Sequence, residues 1–488
     1  MLNFNIQKRL MKHIKLLILG LGLVFSACDL DPEPINATTI DDFFNDDDEI
    51  LSGIINIYDG LQGSNPLEGD GGFNNPFLGI QIEYQMGEIL SDNARTKSGS
   101  PQGFEFETFT VIPQTAAVTT YYRSMYRIIF DANVVLENLE NASAENANRF
   151  EAEARFLRAY AYFNLVRYYG GVPLVDRVIF PDETEIAFTR VPENEIYDFI
   201  LEDLQFAVTS DLDNSFRTRA SKAAAQTLLA KVYLTLGISY LEAQRLLEEV
   251  MDSGDYSLEE DFLDIFYTED NSETIFSIGF DDTNVNDSQG FSAEFLDAVG
   301  RGTGSNYATA ELVAAFGAFG GNRGQFSFRE DPGNPGLFQT VKFLPIVDEN
   351  VGVTSAPANP RIAGNDWIVT RYADVLLLHV ESILAGGMST TAPAALESFQ
   401  AVRDRAGLTD PVTEITMEDL MNERRVELAF ENHRFLDLKR FGVAQQVLSE
   451  FSAANSHDFQ AFELLLPIPA AEISISQGFL EQNPGYPN

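Results

Sequence analysis

The chain has 488 residues, with 74 acidic against 32 basic side chains and a net charge of −42 at pH 7. A surface of that sign repels phosphates and anionic headgroups, which excludes nucleic-acid binding and membrane attachment through a basic patch. A hydrophobic fraction of 45%, with 38 Phe and 17 Tyr, excludes a disordered acidic chain.

The first segment carries Lys8, Arg9, Lys12 and Lys15, then the uncharged run 16–27, then Cys28. A bilayer span needs about 20 apolar residues, so this run is too short to cross and reads as a signal peptide over 1–27. Met11 alone would start a complete signal. Ser26 and Ala27 before a cysteine resemble a bacterial lipobox. Cys28 is the only cysteine of the sequence, so no intrachain disulfide forms, and a lone cysteine at this place is expected to carry the lipid anchor, with palmitate among its acyl chains. Removing residues 1–27 takes away four basic and no acidic side chains and moves the net charge from −42 to −46.

Asp46–Glu49 is an acidic run, read as the first turn of a helix through Tyr58, where negative charge suits the helix dipole. It is not a calcium loop, because the alternation of ligands fails at Ile50. Residues 60–110 are rich in Gly, Asn, Phe and Pro and read as loop. Ala152, Phe156, Ala159, Phe163 and Val166 line one face of a helix over 151–170, with Gly170 as its stop and a second apolar stripe through Leu157 and Tyr160. Pro192 marks the first turn of the next helix, which turns Ile196, Ile200, Leu204 and Ala207 inward. Helices are expected over 222–236, stopped by Gly237, over 240–252, over 375–385, stopped by Gly386, and over 394–405. Residues 268–370 hold short alternating runs at 273–280 and 338–343 and read as loops and short strands inserted into a helical scaffold. The spacing of the helices resembles tetratricopeptide repeats of about 34 residues, with ordinary helical hairpins as the other reading.

Catalytic patterns are scarce. His379, His433 and His457 are the histidines after the leader, no HExxH or cysteine cluster is present, and no metal or other cofactor is expected. Glu423, Glu427, Glu431 and Asp437 alternate with Arg424, Arg425, Arg434 and Arg440 at steps that suit structural ion pairs along a helix. A glycosidase needs only two carboxylates, so a surface glycoside hydrolase is the alternative to a binding protein.

Four segments, 151–175, 366–384 with 401–408, 422–442 and 465–486, are together similar to the SusD/RagB family of outer-membrane nutrient-binding lipoproteins. The resemblance spans the mature chain, 28–488. It implies a mainly α fold of four tetratricopeptide-like helix pairs with an irregular ligand-binding half. The expected divisions are an N-terminal helical part over 28–265, a loop and short-strand insertion over 266–370 and a C-terminal family segment over 371–488. The resemblance also implies a non-enzymatic surface receptor. Such a receptor binds oligosaccharides or peptides, sits on the outer membrane and passes the ligand to a SusC-like TonB-dependent barrel transporter. The common Asp-x-Arg of the family near residue 320 is Gly321-Asn322-Arg323 here. The single tryptophan, Trp367, reads as core, so a tryptophan platform for sugar rings is not expected. The ligand site is expected on two loops instead. The first supplies Phe73, Asn74, Asn75, Phe77 and Arg95, and the second supplies Phe291, Arg301, Tyr307 and Arg323. Aromatic faces with amide or guanidinium groups at their rim suit the C–H faces and hydroxyls of a sugar.

Overall fold

The computed structural model describes residues 43–63, 79–97, 103–297 and 304–487. The compact body begins at Asp46, and Cys28 lies outside the described residues.

Twelve helices organise the body. They are α1 (Asp47–Gln62), α2 (Ala116–Glu137), α3 (Ala147–Tyr169), α4 (Glu193–Thr209), α5 (Lys222–Leu236), α6 (Tyr240–Asp252), α7 (Ala310–Phe319), α8 (Tyr372–Leu384), α9 (Pro393–Arg405), α10 (Met417–Glu427), α11 (Arg434–Arg440) and α12 (Ala444–Ala454), joined by several single turns. Eight of them stack in series. α1 packs on α2, α2 on α3, and so on to α6, which packs on α8, and α8 packs on α9. This is an array of four helix pairs, continuous in space although residues 253–371 intervene in the sequence between α6 and α8.

Local chemistry explains the ends. Asp46 caps α1 by accepting from the amides of Asp48 and Glu49. Pro192 is the N-cap of α4, and Pro393 opens α9. Gly237 ends α5 in the left-handed region at φ 65°, where a side chain would be strained. The same conformation at the end of α8 falls on Ala385, with φ 47°, one residue before Gly386.

The array is apolar inside. Ile50, Ile54, Ile57 and Leu61 of α1 are fully buried, as are Ile196, Ile200, Leu204 and Ala207 of α4. Each such Ile or Leu contributes about 1.5–3 kcal/mol. Helix α3 is buried on nearly every side. Alanines at 152, 154, 159 and 161 let its neighbours approach closely. It carries charged anchors as well: Arg158 forks onto Asp203 of α4 at 2.8 and 2.9 Å, with the ring of Phe199 beneath it, and Glu153 accepts from Arg219 at 2.6 and 3.0 Å.

The second half is built differently. Strands β1 (Ala94–Arg95), β3 (Tyr307–Ala308), β5 (Phe338–Thr340) and β4 (Phe328–Glu330) form an antiparallel sheet in that spatial order. β2 (Thr274–Ile278) pairs with β6 (Trp367–Arg371), and β7 (Ser389–Thr390) with β8 (Ile415–Thr416). Residues 268–370 also contain α7, where the sequence suggested only loop and strand. Thr309 caps it by accepting from the Leu312 amide. Its apolar run shows no polar face to mark a helical period, while Gly317 and Gly320 argue for loop. Trp367 is buried against Phe291 and Phe343, as expected for core.

Candidate functional site

The two loops expected to carry the site share one root. β1 and β3 pair antiparallel, with Arg95 opposite Tyr307. The Lys97 amide donates to the Gly304 carbonyl at 2.7 Å, and the Thr309 amide to the Asn93 carbonyl at 3.0 Å. Lys97 Nζ lies 2.6 Å from an Asp297 carboxylate oxygen. The Asn334 amide donates to both Asp297 and Asp331, and Tyr307 Oη donates to Asp331 at 2.8 Å. A short sheet and a ring of polar contacts thus hold the described ends of the first and second loops side by side.

The expected ligand residues take different places in this frame. Phe73, Asn74, Asn75, Phe77 and Arg301 lie outside the described residues. Arg95 is on the surface, its side chain 37% exposed and its Nε 4.0 Å from Glu107. Tyr307 is buried under the root, and burial with the Asp331 carboxylate pushes its phenol far above the usual range. Phe291 is packed among Phe280, Phe295, Phe343 and Trp367 with 1% of its surface open, so it is a core ring. Arg323 is fully buried. Its Nη1 bonds Glu423 and Glu427 at 2.7 Å each, and its other nitrogens donate to the Gly320 and Phe319 carbonyls. No face of Phe291, Tyr307 or Arg323 is left for a ligand in this conformation.

Arg323 belongs to a buried charge network that the alternating Glu and Arg residues help to form. Arg371, at the end of β6, bonds Glu273, Glu427 and Glu431 at 2.6–3.0 Å. Arg405 adds a second guanidinium to Glu273 and Glu427. Lys342 reaches Glu431 at 2.6 Å. Arg424 joins Asp374 to Asp437, Lys231 shares Asp374, and Arg425 and Arg434 converge on Asp92. Burial works against the charge of Glu427, but Arg405, Arg371 and Arg323 outweigh it and hold the carboxyl well below its ordinary range. The ion-pair reading of these residues is right, yet the partners are mostly distant in sequence. Within 422–442, Arg424–Asp437 and the neighbouring Arg440–Asp437 are local pairs.

One open cleft was not foreseen. About 600 Å³ in volume, it lies beside the β2–β6 ribbon, between residues 265–271, 280–282 and 355–366. A second hollow of about 510 Å³ against α1 shares Glu269, Asp270, Phe280, Asp281 and Asp366 with it. No lysine or arginine lines either. Asp366 accepts from the Phe280 amide and the Ser277 hydroxyl, and burial pushes its carboxyl up to about 6. The acidic pairs Glu269-Asp270 and Asp281-Asp282 flanking a predicted strand were the sequence signal for this cleft. Such walls accept hydroxyl or ammonium donors and repel anions. Among the described residues, no group of three or more His, Cys, Asp or Glu is placed to hold a metal ion, and no helix is long and apolar enough to cross a membrane.

A tetratricopeptide-like array of helix pairs, bearing a loop-rich half whose loops are gathered at one root, defines the chain as a scaffold of the SusD type. Family models agree. Residues 331–486 match the SusD family, and residues 76–234 match a family described as starch-binding and associating with the outer membrane. Both models are of SusD type, and they support the resemblance to the SusD/RagB family. SusD-like protein P2 of Formosa agariphila is 26% identical over 98% of this chain and 100% of its own length. A solved structure named a laminarin binding SusD-like protein is 25% identical, with a TM-score of 0.74 over 91% of this chain and 100% of that one. Surface glycan-binding protein A from Bacteroides thetaiotaomicron, in complex with laminarihexaose, is 20% identical with a TM-score of 0.72, over 90% of this chain and 99% of that one. That likeness bears on fold alone. None of these names is that of an enzyme.

Proposed function

We propose that this protein is a lipid-anchored lipoprotein of the outer membrane that binds an oligosaccharide at the cell surface and hands it to a SusC-like TonB-dependent barrel. The observation that carries the reading is the match over nearly the whole chain to a SusD-like protein whose name says it binds laminarin. The common root of the two loops supports a single composite binding surface, with Arg95 at its described rim and Phe73, Asn74, Asn75, Phe77 and Arg301 contributed by the flanking loop residues. Phe291, Tyr307 and Arg323 serve that surface from below, by fixing the root. Cys28 carries the acyl chains, of which at least two are needed for durable attachment. A lid tethered in this way raises the ligand concentration at a transporter's mouth.

The protein binds and does not turn over its ligand. Glu423, Glu427, Glu431 and Asp437, the carboxylates a hydrolase would recruit from the C-terminal segment, are buried and bonded to guanidinium or ammonium groups. Calorimetric titration of the mature protein with laminarin, starch, sulfated and uronate glycans and peptides tests the reading, with product analysis of each mixture. Saturable binding to a glycan without cleavage is expected. Binding to peptides alone, or release of shorter sugars, would overturn it. For the anchor, Cys28→Ala should abolish labelling by radioactive palmitate. For the partner, pull-down from gently solubilised outer membranes should recover a TonB-dependent barrel.

A further inference from the structure

A small polar cavity of about 50 Å³ lies where α3, α5, β6 and the start of α11 meet the irregular segment Gly79–Leu90. That segment carries the described root of the first loop. Glu83 reaches the cavity from it, Asn164 from α3, and Asn432 from the turn before α11. These three side chains are 4%, 1% and 7% exposed. Four of their atoms make no well-formed hydrogen bond within the protein: Glu83 Oε2 and Asn164 Nδ2, near the hydroxyls of Tyr121 and Tyr160, and both Nδ2 and Oδ1 of Asn432. An unsatisfied buried polar atom costs about 1–3 kcal/mol. Turning the Asn432 amide over does not help, because donor and acceptor are both orphaned.

We propose that this cavity is a binding site for ordered water, which bridges Asn432, Asn164 and Glu83 and seats the loop-bearing segment on the helix array. The volume suits roughly one or two water molecules, and four polar atoms match the two to four bonds a buried water makes. The protein itself cannot close the gap. Asn432 is pinned at φ 63°, its backbone N–H donates to Glu88 Oε1 at 3.0 Å, and its Cβ would lie 2.7 Å from a methyl at Gly87. An ion is a poor occupant, since the charges around the cavity are already committed. Lys231 pairs with Asp374, Arg440 with Glu381 and Asp437, Glu431 with Arg371, and Arg167 is bonded to Asn164 and the Phe163 carbonyl. His433, the remaining titratable wall, is kept neutral by burial and the nearby Lys231, which bring it down to about 4. Burial raises Glu83 to about 7, so near neutral pH it can either donate to or accept from the water.

Crystals of the mature protein that show ordered solvent test this directly. A density peak within about 2.7–3.2 Å of the Asn432 amide and Glu83 Oε2 is expected. An empty cavity, or an Asn432 amide turned onto a protein partner, overturns the proposal. So does an anomalous peak there after bromide soaking, which would mean an ion. In solution, oxygen-17 relaxation dispersion counts long-lived internal waters. Asn164→Leu, which fills the space, should remove at least one, and an unchanged count overturns the proposal. Should that variant fail to fold, the unmodified protein still answers through its density.

Discussion

The helix array and the loop-rich half are held together by opposite means. In the array, helices that follow one another in sequence touch along apolar faces, and each contact resembles the next. In the loop-rich half, short strands and single turns surround an aromatic cluster at Phe291, Phe343 and Trp367, and guanidinium groups staple together segments far apart in the chain. Arg371 and Glu427 are 56 positions apart, and Arg434 and Asp92 are 342 apart. The array spreads its stability over many small terms. The other half concentrates it in a few charged contacts that fail badly when one member is lost.

The sharpest break of that contrast is Arg371→Ala. It leaves Glu273, Glu427 and Glu431 facing one another with one cation fewer, and removing one partner of a buried pair costs about 3–5 kcal/mol. Urea denaturation should show that loss. A change below about 1 kcal/mol would mean that the network is not what holds this half. Ile200→Val in the array removes one methylene from a fully buried side chain and should cost only about 0.5–1.5 kcal/mol in the same assay. Gly237→Ala forces a side chain into the left-handed end of α5, at about 1 kcal/mol.

A pH scan sharpens the comparison further. Burial raises Glu88 to about 8 and Glu83 to about 7 from the ordinary glutamate value of 4.5, and both lie on the Gly79–Leu90 segment. A carboxyl whose folded pKa exceeds its unfolded one binds a proton on folding. Its contribution is therefore full below about 4.5 and is lost as pH rises through about 7 to 8. The melting temperature should decline across that window, and Glu88→Gln should flatten the decline. The smallest expected effect on folding is that of Arg95→Ala, within about 0.5 kcal/mol at an exposed position. Weaker glycan binding at an unchanged melting temperature would place Arg95 in the site, and full affinity would remove it.

The same contrast decides what the sequence reveals. Helices α3, α5, α6 and α9 are readable to within a few residues from apolar period, Pro and Gly, because local signals and tertiary contacts agree there. The first pair is only half visible. The acidic cap of α1 announces it, but α2 follows a loop whose Gly and Asn content masks the return helix. Arg323 and Tyr307 are the right residues for a sugar rim by type and wrong by burial. Nothing in Gly321-Asn322-Arg323 reveals that Glu423 and Glu427, a hundred positions on, close over the guanidinium. Phe291 fails for a similar reason, since its partners Phe343 and Trp367 come from segments that meet only in the folded chain. The cleft beside β2 and β6 escapes because its walls come from three separate stretches, two of which alone look like solvated acidic turns.

Helices α6 and α8 pack directly although residues 253–371 leave the array between them. An excursion that starts and ends at neighbouring points of a finished frame can lengthen, shorten or change its residues while the frame keeps its contacts. Divergence within such a lineage is thereby channelled. Mutations in the exposed loops of the excursion are tested by what they do to the ligand, and those in the array or in the buried ion pairs by whether the chain folds. One frame can in this way present many different surfaces.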